Sequence, residues 1–167
     1  MVDIIGFVVR FLHIAFGIAW IGAVMYGVGV LRRALARMDA PDRKATMRAL
    51  IPVVTRYVPG AGAMTILFGA ILYLYLGQLD PRQLLDLWGL VLLTALALTL
   101  AAFGLGMVLG IGSAKRIFRH LQEQTCTHGP EVGALQKRFN LAQFIVLGLG
   151  IAIIALMVVA TEGHIRG

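Results

Sequence analysis

Long apolar runs alternate with short polar stretches along the whole chain. Four runs reach the roughly 20 residues that a transmembrane helix needs, and they cover about 4–31, 57–77, 87–112 and 141–161. Nothing resembles a linker between globular domains. The pattern therefore predicts an all-α fold, an integral membrane four-helix bundle in which residues 1–167 form a single domain.

Two of the polar stretches also carry helix signals. Asp39, Pro41 and Asp42 give helix-start chemistry in the middle of the first connection, residues 32–56. Gly129 and Pro130 divide the third connection into two helical halves. We therefore expect helical extensions beyond the membrane spans.

Composition supports a membrane protein, and the placement of the charges predicts its orientation. Hydrophobic residues make up 59% of the chain, charged residues 14%, and the mean hydropathy is +0.87. Of the 15 basic residues, seven lie in the first connection and five in the third. Because positively charged loops stay inside, both connections and their helical extensions are expected on the cytoplasmic side. This gives a multi-pass protein of the plasma (inner) membrane, with both termini outside.

The formal net charge of +7 does not indicate nucleic-acid binding, since no basic stripe is interleaved with aromatic residues. The N-terminus lacks the basic region of a signal peptide, so the first apolar run is expected to be retained as a span. The lipid bilayer is the expected surrounding partner.

An ionisable side chain lies deep in the first span. His13 is more than about 10 Å along the helix axis from its start, and intramembrane ionisable residues are functional candidates. Arg10, Gly17 and Trp20 fall on the same stripe of this helix. This stripe suits haem b, with His13 as metal ligand, Gly17 leaving room for the macrocycle, Trp20 as a wall and Arg10 pairing with a propionate.

Each of these residues also has a structural interpretation. His13 can hydrogen-bond a backbone carbonyl or a threonine on a neighbouring helix, Arg10 can extend to the outer headgroups, and Trp20 can be core packing. For a second axial ligand, Met157 is closest in depth and His164 lies on the correct side. A five-coordinate iron and a haem shared across a dimer interface are the alternatives.

The segment "RFLHIAFGIAWIGAVMY" resembles the first helix of a superfamily of small helical membrane proteins with an R-x-x-H-x-x-x-G-x-x-W-x-G pattern, which Arg10, His13, Gly17, Trp20 and Gly22 meet. The group includes the copper-resistance D membrane domain, the membrane domain of certain urate oxidases and the oxygen-independent protoporphyrinogen oxidases of bacteria. The second span is similar to that group's second helix, so the likeness covers residues 8–77.

The resemblance implies a four-helix core that binds b-type haem through His13 and passes electrons between a quinone or porphyrinogen and a partner. The lysine and further histidine expected in the later helices of that group are absent from the third and fourth spans.

Three function classes follow. The leading hypothesis is a haem b protein that relays electrons, as membrane subunit of a larger oxidoreductase assembly. The alternative is a haem-free accessory subunit, whose glycine-rich faces pack in a homo-oligomer or against partner membrane subunits. Copper or small-solute transport ranks third, because the methionines are scattered rather than clustered.

Overall fold

The computed structural model describes residues 3–75, 87–122 and 129–165. Every residue in these ranges is helical except Asp3 and a short break at Met38 and Asp39. This part of the chain contains no strand, in agreement with the predicted all-α class.

The described residues form four long helices: α1 (Ile4–Arg37), α2 (Ala40–Tyr75), α3 (87–122) and α4 (Gly129–Ile165). Each contains a segment long and apolar enough to cross a membrane, in agreement with the four predicted apolar helices. The helices run past the apolar segments, most clearly at the start of α2 and α4. Hydropathy marks where a helix is apolar, and backbone hydrogen bonding continues through the polar residues on either side of that segment.

Aspartate caps begin the first two helices. The Asp3 carboxylate accepts a hydrogen bond from the backbone N–H of Gly6 at 3.1 Å. At the start of α2, the Asp39 carboxylate accepts from the N–H of Asp42 at 2.9 Å, and Pro41 occupies the first turn. The helix start predicted within the first connection is therefore confirmed, and its chemistry is that of an ordinary N-cap.

Two π-helical segments interrupt the regular hydrogen bonding, Gly27–Leu31 in α1 and Gly106–Ile111 in α3. In each, a backbone N–H bonds to the carbonyl five residues earlier: Arg32 to Gly27, and Gly112 to Met107. Such segments are rare and often occur at functional sites. Both lie in the same half of the bundle.

The helices pack as two hairpins, α1 with α2 and α3 with α4. A buried cluster joins the hairpins near mid-bundle, formed by Trp20, Val24, Ala61, Ala102 and Val146. At the polar end, the Arg48 side chain of α2 donates a hydrogen bond of 2.6 Å to the carbonyl of Leu121, among the last carbonyls of α3. This bond ties the two hairpins together beyond the apolar core.

Candidate functional site

His13 lies on α1 with its ring turned towards α2. Its Nδ1 is 2.9 Å from the backbone carbonyl oxygen of Thr65. Because a carbonyl oxygen only accepts hydrogen bonds, Nδ1 carries the proton and donates it. In the neutral ring, the lone pair is then on Nε2, the nitrogen that remains for a ligand.

A glycine on α2 makes the room that the imidazole occupies. A Cβ at Gly69 would lie 2.8 Å from Cε1 of His13 and 3.0 Å from its Nδ1. Real Cβ atoms do not come that close, so a larger residue at position 69 would displace the ring. The position of the imidazole is therefore fixed by one hydrogen bond and one missing side chain.

The hydroxyl of Thr65 does not bind His13. It donates within its own helix to the carbonyl of Ala61 at 2.8 Å, and the residue is buried. Its methyl group faces Gly17, where a Cβ would lie 3.7 Å from Cγ2. Gly17 thus lies at the α1–α2 contact, where an added methyl group would be in ordinary van der Waals contact.

Three facing pairs define how α1 and α2 run beside each other: His13 with Gly69, Gly17 with Thr65, and Trp20 with Gly62. The helices are antiparallel, and each step along α1 is matched by an equal step back along α2. The next turn of α2 therefore brings Tyr73 level with Val9 and Arg10.

Tyr73 carries a buried polar atom at this level. Within the described part of the chain, its hydroxyl has no hydrogen-bond partner. Arg10, one turn from His13 on α1, is exposed. A phenol hydroxyl and a guanidinium are thus available at one depth, about one helical turn beyond the imidazole.

Trp20 is buried, with 4% of its surface exposed. Its ring meets that of Phe103 on α3 edge to face, with centroids 6.0 Å apart and planes at 74°. A Cβ at Gly62 would lie 2.9 Å from the Phe103 ring and 3.1 Å from the Trp20 ring. Trp20 therefore forms the contact between the two hairpins, in line with the core-packing interpretation.

Met157 comes to nearly the depth of His13. Gly27 of α1 faces Gln143 of α4, and Ile21 faces Gly150, so six residues along α1 correspond to seven along α4. One more such step brings Met157 level with residue 15, about 3 Å along the axis from His13. Met157 is half-buried and shares the stripe of Gln143 and Gly150.

The stripe that carries Met157 meets α1, whereas the His13 ring is turned to α2. His13 and Met157 therefore lie at similar depth in the bundle, but their side chains face different helices. His164 belongs to α4, but its side chain lies outside the described residues.

Sequence reasoning did not identify the partners of His13 on α2. A backbone carbonyl has no signature in the sequence, and Tyr73, near the outer end of the second span, has the position of an interfacial anchor. The available signal was the spacing of Thr65, Gly69 and Tyr73, each four residues after the previous one and therefore on one stripe of α2.

Groups of three or more His, Cys, Asp or Glu side chains that could hold a metal ion are absent from the described ranges. This absence concerns metal ions held by several protein side chains. A haem iron would need only one imidazole from the chain, which is not a group of that kind. No protein-family model, curated protein or solved structure matches the chain.

Proposed function

We propose that this chain is a membrane protein that binds b-type haem through Nε2 of His13 and relays electrons. The observation that carries the proposal is the 2.9 Å hydrogen bond from Nδ1 of His13 to the Thr65 carbonyl. Histidines that bind metals in proteins usually donate their other ring N–H to a carbonyl or carboxylate, which fixes the tautomer and makes the ligating nitrogen more basic.

The residues around His13 fit a haem. Gly69 provides the space in which the imidazole is held, and the Nδ1 bond leaves Nε2 as the lone-pair donor. The buried Tyr73 hydroxyl and the Arg10 guanidinium are suited to bind the propionates. When bound, haem supplies one-electron chemistry at its iron.

The chain's own residues do the positioning. Thr65 orients the imidazole through its backbone, and its hydroxyl, engaged with Ala61, does not compete for the ring. Met157 would be the candidate for a second haem ligand because it matches His13 in depth, and His164 is the alternative. Thioether ligation would raise the reduction potential relative to a five-coordinate site.

In the membrane, we place both termini outside and the basic connections on the cytoplasmic side of the plasma membrane. Quinone in the bilayer and a partner membrane subunit are the electron partners that this placement allows. A homo-oligomer is the other assembly that the exposed apolar faces would permit.

An optical spectrum tests the proposal. Protein produced with ample haem supply should purify with a Soret band, and His13→Ala should abolish it. The matched control is His120→Ala, since His120 lies in the polar part of α3 near Glu131, 3.7 Å away. A wild-type protein without a Soret band, or a folded His13→Ala variant with an unchanged band, would overturn the proposal.

A second candidate function is a haem-free accessory subunit. At Gly29, Gly60, Gly104 and Gly148, which are exposed, a Cβ would meet nothing within 4 Å. Exposed glycines allow a helix of another subunit to approach closely in lipid. Co-purification from native membranes tests this candidate. A chain that purifies alone and monomeric, with haem, would exclude it.

A further inference from the structure

A large cavity lies between all four helices, in the half of the bundle opposite to His13. Its volume is about 940 Å³. This is near the upper end of the range for small-molecule sites in proteins. His13 is not among its lining residues, so the cavity is separate from the proposed haem site.

The deep end of the cavity is apolar. Trp20 and Phe103, which meet edge to face, form its floor together with Val24 and Val146. Both π-helical segments contribute to its walls, through Gly27 and Leu31 on α1 and, on α3, through Gly106, Met107, Gly110 and Ile111. The two irregular segments of the fold therefore flank the same space.

The opposite end of the cavity is basic. Arg32, Arg43 and Lys44 line it, and none of its described lining residues is acidic. The guanidinium carbon of Arg32 lies 5.3 Å from the centroid of the Phe144 ring. A guanidinium placed over a ring face keeps its N–H groups able to bind an anion.

We propose that this cavity binds an anionic phospholipid, with an acyl chain on the apolar floor and the phosphate at Arg32 and Arg43. Charge complementarity favours this occupant: basic pockets between transmembrane helices on the cytoplasmic side are suited to anionic headgroups. A neutral quinone would fill the apolar floor but would bring no negative charge to Arg32 and Arg43. The inference goes beyond the proposed function and does not depend on haem binding.

Trp20 provides a direct probe, because it lines the cavity but is only 4% exposed, so lipids outside the bundle do not contact it. In a Trp88→Phe background, it is the remaining tryptophan. We would reconstitute this variant in bilayers containing phosphatidylglycerol with brominated acyl chains. The emission of Trp20 is compared with that of the same protein in the unbrominated lipid. Any quenching by haem is the same in both samples and therefore cancels.

Brominated phosphatidylglycerol is expected to quench Trp20 at a low fraction of the total lipid, and brominated phosphatidylcholine is not. Equal quenching by both lipids would overturn the proposal, since the cavity would then take acyl chains without regard to charge. Absence of quenching by either lipid would also overturn it.

Two double variants distinguish lipid binding at the basic end of the cavity from a general effect of positive charge. Arg32→Gln with Arg43→Gln should raise the half-quenching fraction of phosphatidylglycerol about tenfold or more, given the usual contribution of each basic residue near an anionic headgroup. Arg33→Gln with Arg37→Gln removes the same charge outside the cavity and should leave the fraction unchanged. Equal effects of the two pairs would contradict a specific site.

The cavity itself is tested by filling it. Ala23 lines it, so Ala23→Phe should abolish quenching, whereas Ala34→Phe, exposed on the same helix, should not. Retention of full quenching in Ala23→Phe would place the lipid elsewhere and overturn the assignment.

Discussion

The His13 imidazole donates a hydrogen bond across the α1–α2 interface to the backbone carbonyl of Thr65, at 2.9 Å. Taken alone, this bond matches the structural interpretation of a histidine that is satisfied by a neighbouring helix. The structural interpretation is compatible with the proposal that His13 binds haem, because the ring has two nitrogens. One nitrogen donates to the protein, and the other keeps the lone pair of the neutral ring.

The first prediction concerns the glycine opposite the ring. Gly69→Ala places a Cβ 2.8 Å from Cε1 of His13 and must shift the imidazole. Overpacking of this kind costs about 1–3 kcal/mol, so we expect haem affinity to fall about fivefold or more. A haem titration of the apoprotein measures this.

The matched control for Gly69→Ala is Gly60→Ala on the same helix, where an added Cβ meets nothing within 4 Å. Gly60→Ala should bind haem like the wild type. Equal affinity in both variants would mean that the imidazole position does not govern haem binding.

The second prediction concerns the buried hydroxyl of Tyr73. Tyr73→Phe removes a donor that we assign to a haem propionate, and hydrogen bonds to charged groups contribute about 1.5–3 kcal/mol. The haem dissociation constant should therefore rise about tenfold or more. Tyr57→Phe, at an exposed tyrosine on α2, should leave it unchanged. Unchanged haem affinity in Tyr73→Phe would show that its hydroxyl does not bind a propionate.

The third prediction concerns the second axial ligand. Met157→Ala should convert a six-coordinate low-spin spectrum to a five-coordinate high-spin one and lower the reduction potential, because loss of a thioether ligand destabilises the ferrous state. The control is Met107→Ala, at an exposed methionine of α3. An unchanged spectrum in Met157→Ala would exclude this methionine and leave ligation by His13 untouched.

The fourth prediction concerns the contact between the hairpins. Gly62→Ala would place a Cβ 2.9 Å from the Phe103 ring and 3.1 Å from Trp20. The free energy of unfolding should fall by about 1–3 kcal/mol, the usual cost of overpacking a core. A thermal unfolding midpoint in detergent measures it, with Gly104→Ala as the control in open space. A higher or unchanged midpoint in Gly62→Ala would contradict the close packing described above.

Much of the fold followed from the sequence because it depends on local patterns. The four apolar runs predicted four long helices, and Asp39 with Pro41 predicted where α2 begins. Both signals act within one helix, through hydropathy or through a cap that bonds three residues along the chain.

The composition of the site did not follow in the same way. The motif identified His13 as a candidate site residue, but its hydrogen-bond partner is the backbone carbonyl of Thr65. Every residue of the chain has such a carbonyl, so the sequence does not single out Thr65. Which carbonyl comes within reach depends on how two helices are placed against each other, and the glycines that decide this look alike in the sequence. Gly69 sits against the imidazole, whereas Gly60 faces open space.

The most direct test of the central claim is the haem content of His13→Gly, measured with and without added imidazole. We expect the variant to purify without haem and to regain a Soret band when imidazole occupies the space left by the side chain, while His120→Gly keeps its haem throughout. A folded His13→Gly variant that binds as much haem as the wild type in the absence of imidazole would contradict it.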